Sequence, residues 1–596
     1  MEYNKREEVP NEYKWDLSKI YKNEDEISND IKLVNDLTKK ILKYKSHIMD
    51  SSKTLFEFLS LAEKQDRLIE KLYVYSKMSN DVDTTDNVTK ALKMKIEKLS
   101  DSISEKFAFI EPELFETDYE KVLTYIGENK ELEKYKFYLE CIYRYKDHSL
   151  SYKEEEIYTK ARTAMGNCSE VFSNINNADI NLGYIKDENN NSVKLTSSNY
   201  IIYMKSKDRR VRKDTFEAMY NYYKSLKNTL ASAYVGQIKE SAFSSSVKKY
   251  NSTLEASLFS DNIDISVYNN LINTIHSNMS LMYEYMKLRK SMLGLDEMHM
   301  YDIYVDLVDT NIDNVSFEEG KKILFEALKP LGDKYLNDLK NAFTEKWIDI
   351  YPNKGKKSGA YSWGCYDSYP YLLLNYNDTV DAVSTMAHEL GHSMHSYYSK
   401  SQNYYDSMYP IFLAEIASTV NEVLINDYMY KNAKTKEEKI FFLTDFLDSV
   451  RTTIYRQTMF AEFEMIMHKK ESDGVSLTEE EISKSYYDLN KLYYGDNVVS
   501  DDLIKYEWSR IPHFYTPFYV YKYATGLSSA LSIASRIING DIKTRDNYLE
   551  FLKSGGSDYP LNILKKVGVD MTTPKPIEEA LGLFKTKLEE LKDLIK

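Results

Sequence analysis

The sequence predicts a mainly α-helical protein with a small β element placed just ahead of its most informative helix. Three observations carry that reading. Apolar residues recur with the 3.6-residue period of amphipathic helices over most of the 596 residues. Glycine and proline number only 19 and 11, so few breakers interrupt those runs. Strand-like patterning is confined to short stretches in the middle of the chain.

In chain order, Glu26–Tyr44, Thr54–Met78, Val88–Phe109 and Tyr119–Tyr143 read as helices whose polar faces mix Lys and Glu. Asp179–Met204 reads as a β-hairpin turning at Asp187–Asn191. A rival reading ends the second strand early and lets Ser197 or Ser198 cap a helix. Helical periodicity returns over Asp208–Lys290, and Tyr301–Val308 is again strand-like. Gly355–Tyr376, rich in Gly, Ser and aromatics, supplies the β element. Helices then run to the end, broken by loops at Ser472–Ser476, Gly495–Ser500 and Gly555–Pro560. A boundary near residue 195 separates an N-terminal helical region, 1–195, from the remainder, 196–596.

Composition narrows the class. Hydrophobic residues make up 42%, enough to bury a sizeable core. The formal net charge of −14 repels phosphate backbones and argues against nucleic acid as the main partner. Cys141, Cys168 and Cys365 are odd in number, far apart and without a C-x-x-C pattern, so a reducing compartment fits better than a disulfide framework. The opening MEYNKREEVP has no apolar core of a secretory signal, and no run of eighteen apolar residues suggests a membrane span. These readings favour a cytoplasmic protein without a membrane partner. The 53 tyrosines carry no functional weight outside motifs, and oligomeric state is not legible.

The chemistry concentrates in Asn377–Lys400, NDTVDAVSTMAHELGHSMHSYYSK. Asp378 reads as an N-cap with Asp381 as the acidic partner of a capping box, and Val380, Val383, Ala387, Leu390 and Met394 follow at helical spacing. On this helix sits HELGH. His388 and His392 are one turn apart and stack both imidazoles on one face, which suits a tetrahedral Zn²⁺. Glu389 is displaced about 100° round the helix, beside the ion, where it can take a proton from attacking water. Gly391 costs about 1 kcal/mol against Ala in a helix interior, a cost explained if another segment approaches closely there. His395 shares the histidine face. A hydrogen-bonding or core role suits it, because catalysis needs three protein ligands and an open position.

The third ligand is expected on the next helix, around Tyr409–Asn432, whose first turn Pro410 suits. Glu415 lies in the apolar run FLAEIAS, where an unpaired carboxylate is costly to bury and a metal removes that cost; a plain salt bridge is the other reading. Glu422, Ser418 or Thr419 would then orient a ligand histidine from behind.

The run NYNDTVDAVSTMAHELGHSMHS followed by FLAEIASTVNE resembles oligoendopeptidase F, of the thimet-oligopeptidase-like zinc metallopeptidases. EYKWDLSKIY, SLFSDNIDISVYNNLINTI, GAYSWG and IPHFYTPFYVYKYATG are similar to other segments of that family, so the resemblance spans nearly the whole chain. It implies a two-lobed helical body enclosing a deep channel, with one zinc ion on its floor, and cleavage of internal bonds in short oligopeptides. It gives ligand roles to His388, His392 and Glu415 and the general-base role to Glu389. It also implies that a histidine and tyrosines of Ile511–Gly526 face the scissile carbonyl, where a phenol or imidazole would steady the oxyanion. His513 and Tyr521 are the preferred donors, then Tyr515, with packing as the other reading of each tyrosine. Gly359–Ser362 reads as a strand edge for the substrate backbone, or as an ordinary loop. Two rival functions stand beside an endopeptidase: a zinc carboxypeptidase or dipeptidyl carboxypeptidase, and a non-catalytic peptide-binding protein. The intact Glu389 argues against the second.

Overall fold

The computed structural model describes residues 3–310, 312 and 314–596 and is mainly helical. The chain folds as two compact units that interleave along the sequence. The first comprises Met1–Ser149, Ile312–Tyr428 and Ile533–Val569, and the second Leu150–Asn311, Met429–Ser532 and Asp570–Lys596. A single cut near residue 195 does not describe this division, because each unit is built from three separated stretches. Among the described residues no helix is long and apolar enough to cross a membrane. The three cysteines are free.

In the first unit the N-terminal helices run Glu24–Ile41, Ser52–Asp81 and Asn87–Phe107, started by side-chain caps from Asn23, Ser51 and Asp86. The expected helix over Tyr119–Tyr143 is interrupted. It ends at Glu128, passes through a 3₁₀ stretch, Lys130–Tyr135, and resumes as Lys136–Tyr143. Asn129 causes the break: its backbone is extended and its side chain accepts the Glu131 N–H. The pieces pack one core around Phe58, Leu59, Tyr125, Leu132 and Tyr135.

The β element is a three-stranded sheet in the order β3–β5–β4, with β3 at Ile348–Asp349, β4 at Tyr361–Trp363 and β5 at Tyr371–Leu373. β4 runs antiparallel to β5, and Ser362 pairs with Leu372. β5 is wholly buried, as expected of the central strand, which leaves β4 at the edge.

In the second unit the hairpin is shorter than expected. β1, Tyr184–Lys186, pairs with β2, Ser192–Lys194, around Asn190 at φ 62°. Asp187 accepts the N–H groups of Asn189 and Asn191 and fixes the turn. The strand stops because Thr196, one residue before the expected Ser197, caps a helix over Ser197–Met204 in a capping box with Asn199. Helices over Arg209–Ser225, Lys227–Val247, Thr253–Phe259, Ile265–Ser277 and Met279–Met292 follow. Tyr301–Val308 is not a strand but a series of turns. Its fully buried Asp302 accepts from Arg212 at 2.7 Å, from Arg209 and from the His299 N–H, and a strand could not converge those donors on one carboxylate.

Candidate metal centre

The histidine helix spans Val380–Ser399. Its cap is Thr379, whose Oγ1 accepts the Ala382 N–H at 3.1 Å. Asp378, the expected cap, sits instead at φ 59°, where its carbonyl accepts the N–H groups of Asn314 and Val315. The cap therefore moves on by one residue. The second helix spans Ile411–Asn432, and the Pro410 carbonyl accepts its first N–H groups, from Leu413 and Ala414.

These helices meet at Gly391. A Cβ there would lie 2.5 Å from Ser418 Cα, 2.6 Å from the Ala417 oxygen and 2.8 Å from Ser418 N, all main-chain atoms. Only glycine permits that approach, which carries Glu415 beneath the two histidines. Asn421 ties the helices further by donating to the Ala387 carbonyl at 3.0 Å.

The structure brings His388, His392 and Glu415 together. The two Nε2 atoms are 3.2 Å apart, and Glu415 Oε2 lies 3.5 Å from one and 3.7 Å from the other. For ligand bonds of about 2.0–2.1 Å, a tetrahedral ion requires donors about 3.4 Å apart, so this triangle fits zinc. The outer sides of both rings are engaged. His388 Nδ1 donates to Glu422 Oε1 at 3.0 Å, and the His392 ring hydrogen-bonds the Ala414 backbone. Those partners turn both Nε2 atoms toward each other and toward Glu415, where a bound cation, or a proton on His388, relieves their repulsion. Ser418 Oγ donates to the Glu415 carbonyl at 3.0 Å and lies 3.4 Å from its carboxylate.

The charges follow the geometry. Burial lowers the His388 pKa, but the Glu422 hydrogen bond and the surrounding carboxylates override it and push it up to about 9. Burial and the His388 charge lower His392 to about 3. Burial, aided by Glu415, raises Glu389 to about 7, against the pull of His388 and a Ser362 N–H bond. His395 contributes no ligand atom. It is fully buried, stacked on Tyr409 at 3.7 Å and tilted against Phe551 at 5.4 Å, and burial keeps it neutral.

A cavity of about 470 Å³ opens beside His388 and Glu389, walled by Gly359, Ala360, Leu374, Asp381 and Thr385 among others. Ser362 Oγ is 2.7 Å from Ser393 Oγ, which fastens β4 to the histidine helix. Asn375 Nδ2 donates to the carbonyls of Lys357 and Gly359, at 3.0 and 2.7 Å, and shapes the approach to β4. Asn375 had no motif to reveal it.

His513, Tyr515 and Tyr521 belong to the second unit. There Glu464 accepts the N–H of Phe518, whose φ of 57° bends the chain. Tyr521 is only 1% exposed, its ring lies against Tyr268 at 5.3 Å, and burial raises its phenol far above the ordinary range. Tyr515 is stacked on Phe172 at 4.4 Å. The half-buried His513 instead pairs with Tyr523, whose Oη is 3.3 Å from Nε2. Tyr523 follows Tyr519 by four residues and packs against it, on a helical spacing that Tyr521 does not share.

A family profile described as Peptidase family M3 matches residues 202–583, and one described as Oligopeptidase F matches residues 113–181. The chain is 41% identical over 591 residues to Oligopeptidase PepF of Bacillus subtilis, covering 99% of this chain and 88% of that one. It is 38% identical to Group B oligopeptidase PepB of Streptococcus agalactiae, covering 99% and 98%. The crystal structure of oligoendopeptidase-F from Enterococcus faecium matches with a TM-score of 0.75 at 34% identity, covering 96% of this chain and 99% of that one.

Proposed function

This chain belongs to peptidase family M3, a family of metallopeptidases, and from that premise we propose that it hydrolyses internal bonds of oligopeptides with one zinc ion held by His388, His392 and Glu415. The observation that carries this reading is the triangle of two Nε2 atoms and one carboxylate oxygen, with Glu389 alongside. Zinc held there would supply Lewis acidity to water and to the scissile carbonyl.

The remaining steps fall to side chains. Glu389 takes the proton of the attacking water on its carboxylate and returns it to the leaving amine. Glu422 and the Ala414 backbone hold the rings so that only Nε2 is offered. The edge of β4, with Gly359 and Ala360 before it, offers main-chain groups to an extended peptide. The role of carbonyl-oxygen donor goes to the His513–Tyr523 pair, on the family resemblance and on their mutual hydrogen bond.

The test is Glu389→Gln, assayed on a peptide blocked at both ends. Zinc content stays at one per chain while turnover falls about 10²–10⁴-fold, the usual worth of a positioned base. Near-normal turnover overturns the role of Glu389. Cleavage of free-ended peptides alone would turn the reading toward a carboxypeptidase.

A further inference from the structure

The cavity beside the histidine helix holds one carboxylate that the reaction leaves idle. Three carboxylates line it: Asp381, Glu389 and Glu422. Glu389 is the proposed base, and Glu422 is bound to His388. Asp381 is exposed and makes no side-chain hydrogen bond or ion pair among the described residues.

Its position suits a long cationic side chain. Asp381 precedes His388 by two helical turns, about 10 Å along the axis. A lysine or arginine whose own peptide group lies at the reacting end of the cavity spans most of that distance, about 6 Å of it as an apolar stem. Leu374, Ala382 and Thr385 would flank that stem, and 470 Å³ is ample for it. The helix N-terminus alone would attract an anion, but its charge is about half a unit and the full charge of Asp381 outweighs it.

We propose that Asp381 is a specificity-determining residue that recognises a lysine or arginine flanking the scissile bond. This rests on the peptidase reading above and names its preferred substrates: oligopeptides with a basic residue next to the cut.

The experiment uses the zinc-loaded protein and end-blocked peptide pairs that differ only in Lys or Gln at one residue flanking the cut. The wild-type kcat/KM ratio favours Lys by about twofold to fivefold, the range of a solvent-exposed ion pair. That ratio falls toward one in Asp381→Asn and inverts in Asp381→Lys, each at unchanged zinc content. The wild-type preference also shrinks as salt is raised. Three results overturn the proposal: the same ratio in zinc-replete Asp381→Asn as in wild type, a wild-type ratio of one at both flanking positions, or a wild-type ratio indifferent to salt at both. Cleavage of no peptide at all by the zinc-loaded wild type would overturn the peptidase reading itself, and is distinct from cleavage without a basic preference.

Discussion

Glu422 grips the imidazole of His388 from behind, with Oε1 3.0 Å from Nδ1, so that Nε2 is presented to Glu415. Glu422→Ala removes the grip without touching the donor triangle. Zinc affinity, measured by competition with a chelator, falls about 10–100-fold. Thermal stability of the zinc-free protein changes little, because the Glu422 side chain is 41% exposed. Unaltered affinity would rule out this positioning role.

Gly391→Ala tests the close approach of the two helices. The added methyl meets three main-chain atoms at 2.5–2.8 Å, none of which can swing aside as a side chain would. Overpacking of this kind costs about 1–3 kcal/mol and pushes the Glu415 helix away. Denaturant melts report the first effect and zinc titration the second. A variant as stable and as zinc-avid as wild type would refute the contact.

The tyrosines of the second unit separate by burial. Tyr523→Phe and His513→Ala lower kcat on a blocked peptide by about 10²-fold, the worth of one oxyanion donor. Tyr521→Phe leaves kcat near wild type, because its phenol is sealed against Tyr268. Steady-state kinetics on the three variants decide between them, and a larger loss in Tyr521→Phe than in Tyr523→Phe would restore the original preference.

Asp66 gives stability a pH dependence. Burial raises its pKa to about 6, although it accepts from Tyr405 at 2.7 Å. The folded state therefore binds this proton more tightly than the unfolded state, whose pKa is about 3.9. Stability from this group is intact below about pH 4 and is lost as pH rises through 6. Asp66→Asn keeps an acceptor for Tyr405 and stabilises the protein at pH 7 by up to about 3 kcal/mol, at 1.36 kcal/mol per pKa unit. The gain vanishes by about pH 4. Chemical melts across that range check it, and a pH-independent difference would exclude the linkage.

The candidate metal centre, the grouping of His388, His392 and Glu415, was legible because each of its parts carries a local signal. His388 and His392 are one turn apart, Glu415 is a lone charge in an apolar run, and Gly391 is a helix breaker without a local excuse. Position-specific details were not legible. Thr379 rather than Asp378 caps the helix because Asn314 and Val315, more than sixty residues earlier, claim the Asp378 carbonyl. Tyr301–Val308 has strand-like residues, but two arginines from another helix decide its shape. Asn375 works through side chain to main chain bonds that no spacing announces. The interleaving of the two units likewise comes from contacts far apart in sequence, which periodicity does not register.

That interleaving bears on how the protein is made. During translation His388, His392 and Glu415 emerge well before Phe551, which backs His395, and before Tyr548, whose hydroxyl lies 3.5 Å from the Ala417 carbonyl. A nascent chain thus displays the donor set while the wall behind it is still unsynthesised. The first unit, which holds the donor set, therefore closes only once its last stretch, Ile533–Val569, has been made.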